Sequence, residues 1–107
     1  MKLSIVLSTH AAQFQAATFK GDFAANVARI AALGYDGVEL AIRDPKLVDA
    51  DALAQTIAAH GLVAPAIGTG QAWGEERLSF TAADVAIRRA DIERIKKIGR
   101  ASCRERV

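Results

Sequence analysis

Five side chains that could contact a polar substrate lie within or just after short apolar runs of the chain. They are His10, Glu39, Arg43, Gln71 and Trp73. A carboxylate inside a buried strand, as at Glu39, is costly unless it is paired or faces a polar cavity. The guanidinium of Arg43 could hold a phosphate or a carboxylate through two parallel hydrogen bonds, and Trp73 could form an aromatic wall against a sugar ring. These residue types indicate a site for a polar small molecule.

Each of these residues also has a purely structural interpretation. His10 could be an exposed loop histidine, and Glu39 could bond to a basic or backbone group of a neighbouring strand. Arg43 could form a solvated charge pair with Asp44 in a turn, and Trp73 could pack on the rim of the sheet. Both interpretations stay open until the elements that position these residues are known.

Three apolar runs predict the strands of a sheet: residues 3–7, 38–42 and 62–67. Pro65, inside the third run, predicts a strand end or an irregularity there, and residues 68–74 are predicted to form a loop. Helical patterns of about 10–15 residues separate the runs, and this alternation favours a parallel sheet. The predicted fold class is therefore α/β, with the order β-α-β-α-β-α.

Aspartates predict where the first two helices begin. Asp22 precedes the first helical pattern, and either Asp49 or Asp51 precedes the second. Gly34 after the first helix supplies a left-handed stop, and His60 lies at the end of the second helix. Because parallel strands all point the same way, we expect the residues after each strand to converge at one edge of the sheet and His60 to lie at the other end.

The third helix is predicted to follow Thr81 and Asp84, which resemble a capping box, and to continue to about residue 97. Its core-facing side chains are predicted to be Val85, Ile92 and Ile95. The charged side chains of residues 88–97 are predicted to form an exposed helix face. The acidic pair at residues 75–76 is likewise predicted to be solvated.

The segment Leu-Gly-Tyr-Asp-Gly-Val-Glu-Leu, residues 33–40, resembles the first helix-to-strand junction of the sugar phosphate isomerase/epimerase family. This family belongs to the xylose isomerase-like group of TIM barrels. The opening strand at residues 2–8, the His-Gly-Leu segment at 60–62 and the Ile-Gly-Thr-Gly segment at 67–70 support the resemblance. The resemblance implies that the chain forms the first three β/α units of a TIM (β/α)8 barrel, with strand two between strands one and three.

The resemblance also implies a function. It indicates the N-terminal fragment of an isomerase or epimerase that moves a proton through an enediolate, with a divalent metal (Mn, Mg, Co or Zn) in the full-length protein. In that family the metal ligands and the acid/base glutamates come from later strands, so no catalytic residue and no metal ligand is assigned here. We expect the five residues above to form one wall of a pocket for a sugar or polyol. The fragment alone is expected to be inactive.

Three other functions remain as alternatives. A dehydratase of the same barrel group is one. An apurinic endonuclease is another, although such enzymes usually place histidines after the second and third strands, where this chain has Arg43-Asp44 and Gln71-Ala72-Trp73. The third is a non-catalytic α/β module that binds a small ligand. An open sheet with strand one in the middle would favour that module.

Residues 98–107 resemble, codon for codon, the translation of a widely used sequencing-library adapter. We therefore expect residues 1–97 to be the native part of a TIM barrel and residues 98–107 to be a non-native tail without a partner in the fold. The formal charge of +2 disappears without this segment, and the single cysteine, Cys103, also lies in it. The basic charge is thus no argument for a nucleic-acid partner.

The composition is that of an ordinary globular protein, with 51% hydrophobic and 24% charged residues. No apolar stretch approaches the ~20 residues that a membrane span needs. The first residues lack the long apolar region of a secretory signal. We therefore expect a cytoplasmic protein with no membrane partner and no nucleic-acid partner.

Overall fold

A computed structural model of the chain describes residues 1–11 and 17–103. Its centre is a parallel sheet of three strands in the order β1-β2-β3. The strands are β1 (Ser4–Ser8), β2 (Gly37–Ala41) and β3 (Val63–Gly68). The prediction of an α/β fold with strand two in the middle is confirmed, and the bounds of each strand differ from the predicted ones by one residue. An open order with strand one in the middle is excluded.

Four α-helices accompany the sheet in the part of the chain that the structure describes. They are α1 (Phe23–Ala32), α2 (Ala50–Ala59), α3 (Gln71–Glu76) and α4 (Val85–Cys103). A short 3₁₀ helix, Pro45–Leu47, follows β2. The prediction of a loop between β3 and the last helix is wrong in part, because a helix of six residues forms directly after Gly70. None of the described helices is both long and apolar enough to cross a bilayer.

Aspartate side chains cap the helices much as their positions predict. The carboxylate of Asp22 accepts a hydrogen bond from the backbone N–H of Ala25, and that of Asp49 accepts one from Ala52 N–H, each at 3.1 Å. Asp49, not Asp51, is therefore the cap of α2. The predicted capping box at Thr81 is wrong, because α4 begins four residues later and its first turn is held by Asp84.

Gly34 ends α1 in the left-handed conformation, with φ of 89°. This confirms the predicted glycine stop, since a side chain at that position would be strained.

One face of the sheet packs against α1 and α2 to form the core. Leu7, Val38 and Leu40 lie on this face, and they contact helix residues that include Ile30 and Ile57. These side chains are almost completely removed from water, and burial of large aliphatic groups is the main favourable contribution to folding. The first two apolar runs of the sequence therefore mark core strands, whereas most of the third is exposed.

Strand β3 lies at the edge of the described sheet and is irregular. Gly37 pairs with Val63 and Glu39 pairs with Ala66, so β3 has one residue more than β2 between these pairs. This extra residue confirms the irregularity that Pro65 predicts. The side chains of residues 63–66 are exposed, and an apolar groove of about 570 Å³ runs along β3 between α2 and Ile98.

Helix α4 is buried along a different face from the predicted one. Val85 and Ile92 are exposed and only Ile95 is partly buried, so two of the three predicted core residues are wrong. Asp91 and Ile98 are buried instead, at 7% and 5% exposure. The spacing of 91, 95 and 98 places these residues on one side of a helix. Ile98 therefore has partners in the fold, which corrects the expectation that the tail begins there.

Candidate functional site

The carboxyl ends of the three strands lie side by side, and this brings the residues that follow them to one edge of the sheet. Thr9 N–H donates to Ala41 O at 3.3 Å, and Ile42 N–H donates to Gly68 O at 3.1 Å. The chain then leaves the strands toward His10, Arg43 and Gln71. His60, which ends α2 just before β3, lies at the opposite end of the sheet, as the direction of the strands predicts.

Gln71, the first residue of α3, connects that helix to the end of β1. Its side chain is buried, and Nε2 donates a hydrogen bond to Ser8 Oγ at 3.0 Å. Ser8 Oγ in turn donates to the backbone oxygen of His10 at 2.7 Å. This role of Ser8 was not predicted from the sequence, because serines are common at the ends of strands. Gln71 Oε1 is buried and has no hydrogen-bond partner among residues 1–11 and 17–103.

His10 is partly buried beside Arg43 and Glu75. Burial lowers its pKa below 6.5, the positive charge of Arg43 lowers it further, and the negative charge of Glu75 acts in the opposite direction. Nδ1 lies 3.1 Å from Thr9 Oγ1, whereas Nε2 is buried without a partner in the described part of the chain. The imidazole is therefore largely neutral at pH 7 and can accept or donate one hydrogen bond through Nε2.

Arg43 lies at the edge of a network of ion pairs. Its Nε is 3.9 Å from Glu76 Oε2 but is buried without a hydrogen bond to any described residue. Glu76 instead accepts two hydrogen bonds from Arg94, at 2.6 and 3.1 Å. Arg94 also donates to the backbone oxygen of Arg43 at 2.8 Å and lies 3.4 Å from Asp44. Glu76 is exposed as predicted, although it is paired, whereas Arg94 is partly buried and the prediction that it lies on an exposed helix face is wrong.

The network has a clear electrostatic effect. Hydrogen bonds from Arg94 lower the pKa of Glu76, and the same contact raises the pKa of Arg94. Because α4 supplies Arg94 and α3 supplies Glu76, the pair holds these two helices together and orients the Arg43 segment between them. The two basic and two acidic residues at positions 43, 44, 76 and 94 could have suggested such a network, but not which charges meet.

Glu39 lies in the central strand, between β1 and β3, and is partly buried. A Cβ atom placed on Gly68 would be 3.4 Å from Glu39 Oε1, so the carboxylate leans across β3 at a position without a side chain. In the described ranges no hydrogen bond joins this carboxylate to a basic or backbone group of a neighbouring strand. The structural interpretation of Glu39 as a bonded acid finds no support there.

Trp73 lies apart from the other candidates. It is 55% exposed on α3, with the guanidinium of Arg77 at 5.0 Å from its ring centroid. It lines a cavity of about 220 Å³ together with Phe80, Asp91 and Ile95. None of His10, Glu39, Arg43 and Gln71 lines this cavity. A wall shared by Trp73 and the other four residues therefore stays a prediction.

Four residues at the carboxyl edge of the sheet form what we call the polar cluster: Ser8, His10, Arg43 and Gln71. Gln71 donates to Ser8 Oγ, Ser8 Oγ donates to the backbone oxygen of His10, and the charge of Arg43 acts on the His10 ring. Three of its polar atoms are buried without partners in the described ranges, and such atoms usually have a structural or functional reason. Arg43 Nε is a hydrogen-bond donor, Gln71 Oε1 is an acceptor and His10 Nε2 can be either, and this combination suits a ligand with several hydroxyl groups.

The described residues do not fit a divalent metal site. No group of three or more His, Cys, Asp or Glu side chains within residues 1–11 and 17–103 could hold an ion.

Comparison with models of known protein families and with curated proteins finds no match. The resemblance to the sugar phosphate isomerases therefore rests on the sequence segments alone.

Proposed function

We propose that the chain is part of an enzyme that isomerises or epimerises a sugar or sugar phosphate, and that the polar cluster contacts substrate oxygens. The observation that carries this proposal is the set of three buried, unpartnered polar atoms at the carboxyl edge of the sheet. In parallel barrels the active site lies at this edge. The strand order β1-β2-β3 is the order that the first three strands of such a barrel have.

The three side chains suit different parts of a polyhydroxylated ligand. Arg43 Nε donates to a phosphate or hydroxyl oxygen, and Gln71 Oε1 accepts a hydrogen bond from a hydroxyl group. Neutral His10 exchanges one further hydrogen bond through Nε2. An uncompensated buried polar atom costs about 1–3 kcal/mol, and a ligand that pairs with all three would recover part of that cost.

The chemical step itself is not assigned to this chain. Isomerisation or epimerisation moves a proton at the carbon beside a carbonyl group, and this requires carboxylates placed on both sides of that carbon. The proposal is that later strands of a longer cytoplasmic protein supply these carboxylates and the ligands of any divalent metal. The polar cluster then contributes substrate binding and orientation.

The proposal is tested first at the level of the gene. We expect genomic DNA to continue in frame past codon 97 into further β/α units with Glu, Asp and His at strand ends. The longer protein should interconvert aldose and ketose sugars or epimers, whereas the 107-residue chain should not. A genomic stop codon directly after Val107 would contradict the proposal, and so would cleavage of apurinic DNA by the longer protein in place of sugar turnover.

A matched pair of variants of the longer protein tests the polar cluster. Arg43→Gln should raise KM by roughly tenfold or more, because one charge-assisted hydrogen bond to the substrate is lost. Arg89→Gln removes the same charge at an exposed position of α4 and should leave KM unchanged. Equal KM values for the two variants would remove Arg43 from the substrate site.

A further inference from the structure

A second cavity, which we call the Trp73 cavity, lies between α3, residues 78–80 and α4. Its volume is about 220 Å³, and its apolar walls include Trp73, Leu78, Phe80 and Ile95. Asp91 also lines it and is the only acidic residue among its described lining residues. The cavity would hold roughly seven water molecules, so it suits a ligand of a few carbon atoms.

Asp91 is an unusual residue for a wall of this kind. It is 7% exposed, and its carboxylate has no hydrogen bond and no ion pair within 4.0 Å to any residue in the described ranges. Arg94, one turn further along α4, feels the charge of Asp91 but donates its hydrogen bonds to Glu76 and to the backbone oxygen of Arg43. The Asp91 oxygens are not among the fully buried polar atoms without a partner, so the carboxylate is open to the cavity, and a cation is the group that best matches its charge.

The aromatic side chains of the cavity are also suited to a cation. Trp73 and Phe80 are each 55% exposed. The guanidinium of Arg77 lies 5.0 Å from the centroid of the Trp73 ring, which is within the range of a cation–π contact. Arg77 has a φ of 58°, the left-handed region that side-chain-bearing residues seldom adopt. The fold therefore keeps an unfavourable backbone conformation at the residue that lies over Trp73.

We propose that the Trp73 cavity binds a small organic cation, an alkylammonium group whose charge lies against Asp91 and whose carbon atoms pack on Trp73 and Phe80. The site is distinct from the polar cluster, because none of His10, Arg43 and Gln71 lines the cavity. It does not depend on the isomerase proposal. The acidic side chain selects the positive charge, and the apolar walls select an alkyl substituent over a bare metal ion.

Fluorescence provides a direct test, because Trp73 is the only tryptophan of the chain. The purified 107-residue protein is titrated with n-butylammonium chloride at constant ionic strength, and in parallel with n-butanol. We expect a saturable change in tryptophan emission with n-butylammonium and none with n-butanol. Asp91→Asn keeps the shape of the side chain and should weaken n-butylammonium binding by about thirtyfold or more. Glu93→Gln, which removes the same charge from an exposed position of α4, should bind like the parent protein.

Any of the following results would contradict the proposal. An equal response to n-butanol would show that the charge is not recognised. Equal affinities for Asp91→Asn and Glu93→Gln would show that Asp91 is not the counter-charge. The absence of a saturable response from the parent protein would show that the cavity does not bind this class of ligand. A saturable response to neutral D-xylose alone would make Trp73 the sugar wall and leave the isomerase proposal intact. If Asp91→Asn does not fold, the comparison of n-butylammonium with n-butanol on the parent protein still tests whether the cavity recognises a positive charge.

Discussion

At the scale of single residues, burial and neighbouring charges together set the protonation of His10 in the polar cluster. His10 is held below its ordinary pKa first by burial and then by Arg43, while Glu75 opposes both. Because the folded protein favours the neutral imidazole, protonation favours unfolding. The free energy of unfolding should therefore fall as the pH drops below about 6.5, the ordinary value for histidine. The polar cluster is thus best formed at and above neutral pH.

The variant Arg43→Gln should raise the pKa of His10, because it removes a positive charge close to the ring. Glu75→Gln should lower the pKa further, because it removes the negative charge that favours the imidazolium form. The pKa of His10 in both variants is measured by NMR titration of its ring protons, with the signal of His60 at the other end of the sheet as the internal reference. A His10 pKa that stays unchanged in both variants would contradict this account of the cluster.

The sequence predicts several residues of the polar cluster, but it does not predict which side chains they contact. His10, Arg43 and Gln71 were predictable because each follows a strand, and the direction of parallel strands places them at one edge. Ser8 and Asp91 were not predictable, because their roles depend on which side chains of distant segments face them. The placement of Trp73 on a separate cavity depends on α3. This helix was not predicted, because the glycines at positions 70 and 74 are typical of a loop.

At the scale of elements, the close approach of β2 to its neighbours requires a glycine. A Cβ atom on Gly37 would lie 2.7 Å from the backbone oxygen of Val63 and 2.8 Å from Ser4 Oγ. The backbone oxygen cannot move away without disturbing the pairing of β2 with β3. Gly37 therefore fixes the separation of the strands at the amino end of the sheet, while its partner strand carries the irregularity at Pro65.

Two glycine-to-alanine changes should have opposite effects on stability. Gly37→Ala should lower the free energy of unfolding by about 1–3 kcal/mol, the usual cost of forcing atoms into a filled space. Gly74→Ala places the same methyl group inside α3, where nothing lies within 4 Å. It should raise stability by about 0.5–1 kcal/mol, because alanine is the better helix former. Urea denaturation measures both, and a destabilised Gly74→Ala with an unaffected Gly37→Ala would contradict the description of the sheet.

The elements show where sequence patterns are reliable. Asp22, Asp49 and Gly34 act locally, so the bounds of α1 and α2 follow from a few neighbouring residues. The buried face of α4 does not follow in this way. Four isoleucines and a valine lie along that helix, and its packing against the 3₁₀ helix and α3 places Asp91 and Ile98 on the buried side.

At the scale of the whole molecule, the core face of the sheet is covered unequally along its width. Helices α1 and α2 pack on it, but β3 leaves exposed apolar side chains beside a long apolar groove. Ile98 lines that groove near the end of α4 and is 5% exposed. The alternation of strands and helices predicted a parallel sheet, whereas the order of its strands was predicted only from the family resemblance. Closure of the strands into a complete barrel stays a prediction, because three strands do not reveal the curvature of eight.

A substitution at Ile98 and a deletion of residues 100–107 test which residues at the end of α4 contribute to stability. Ile98→Ala should lower the free energy of unfolding by about 2–4 kcal/mol, because it removes a buried aliphatic side chain. Deletion of residues 100–107 should leave the thermal midpoint unchanged within error. A clear loss of stability on that deletion would show that these residues contribute to the fold, contrary to the interpretation of the tail as non-native.

The most direct test of the central claim follows ligand binding at the polar cluster by NMR. The 107-residue chain is titrated with a panel of aldoses and ketoses that includes D-xylose. We expect saturable shifts of the Arg43 Nε–H, the Gln71 side-chain amide and the His10 ring, with no shift at the exposed Arg89 and Gln55. Gln71→Ala should weaken these shifts, whereas Gln55→Ala should not. Shifts of equal size at Arg89 and Gln55, or no saturable shift at the polar cluster, would contradict the assignment of a substrate site to this edge of the sheet.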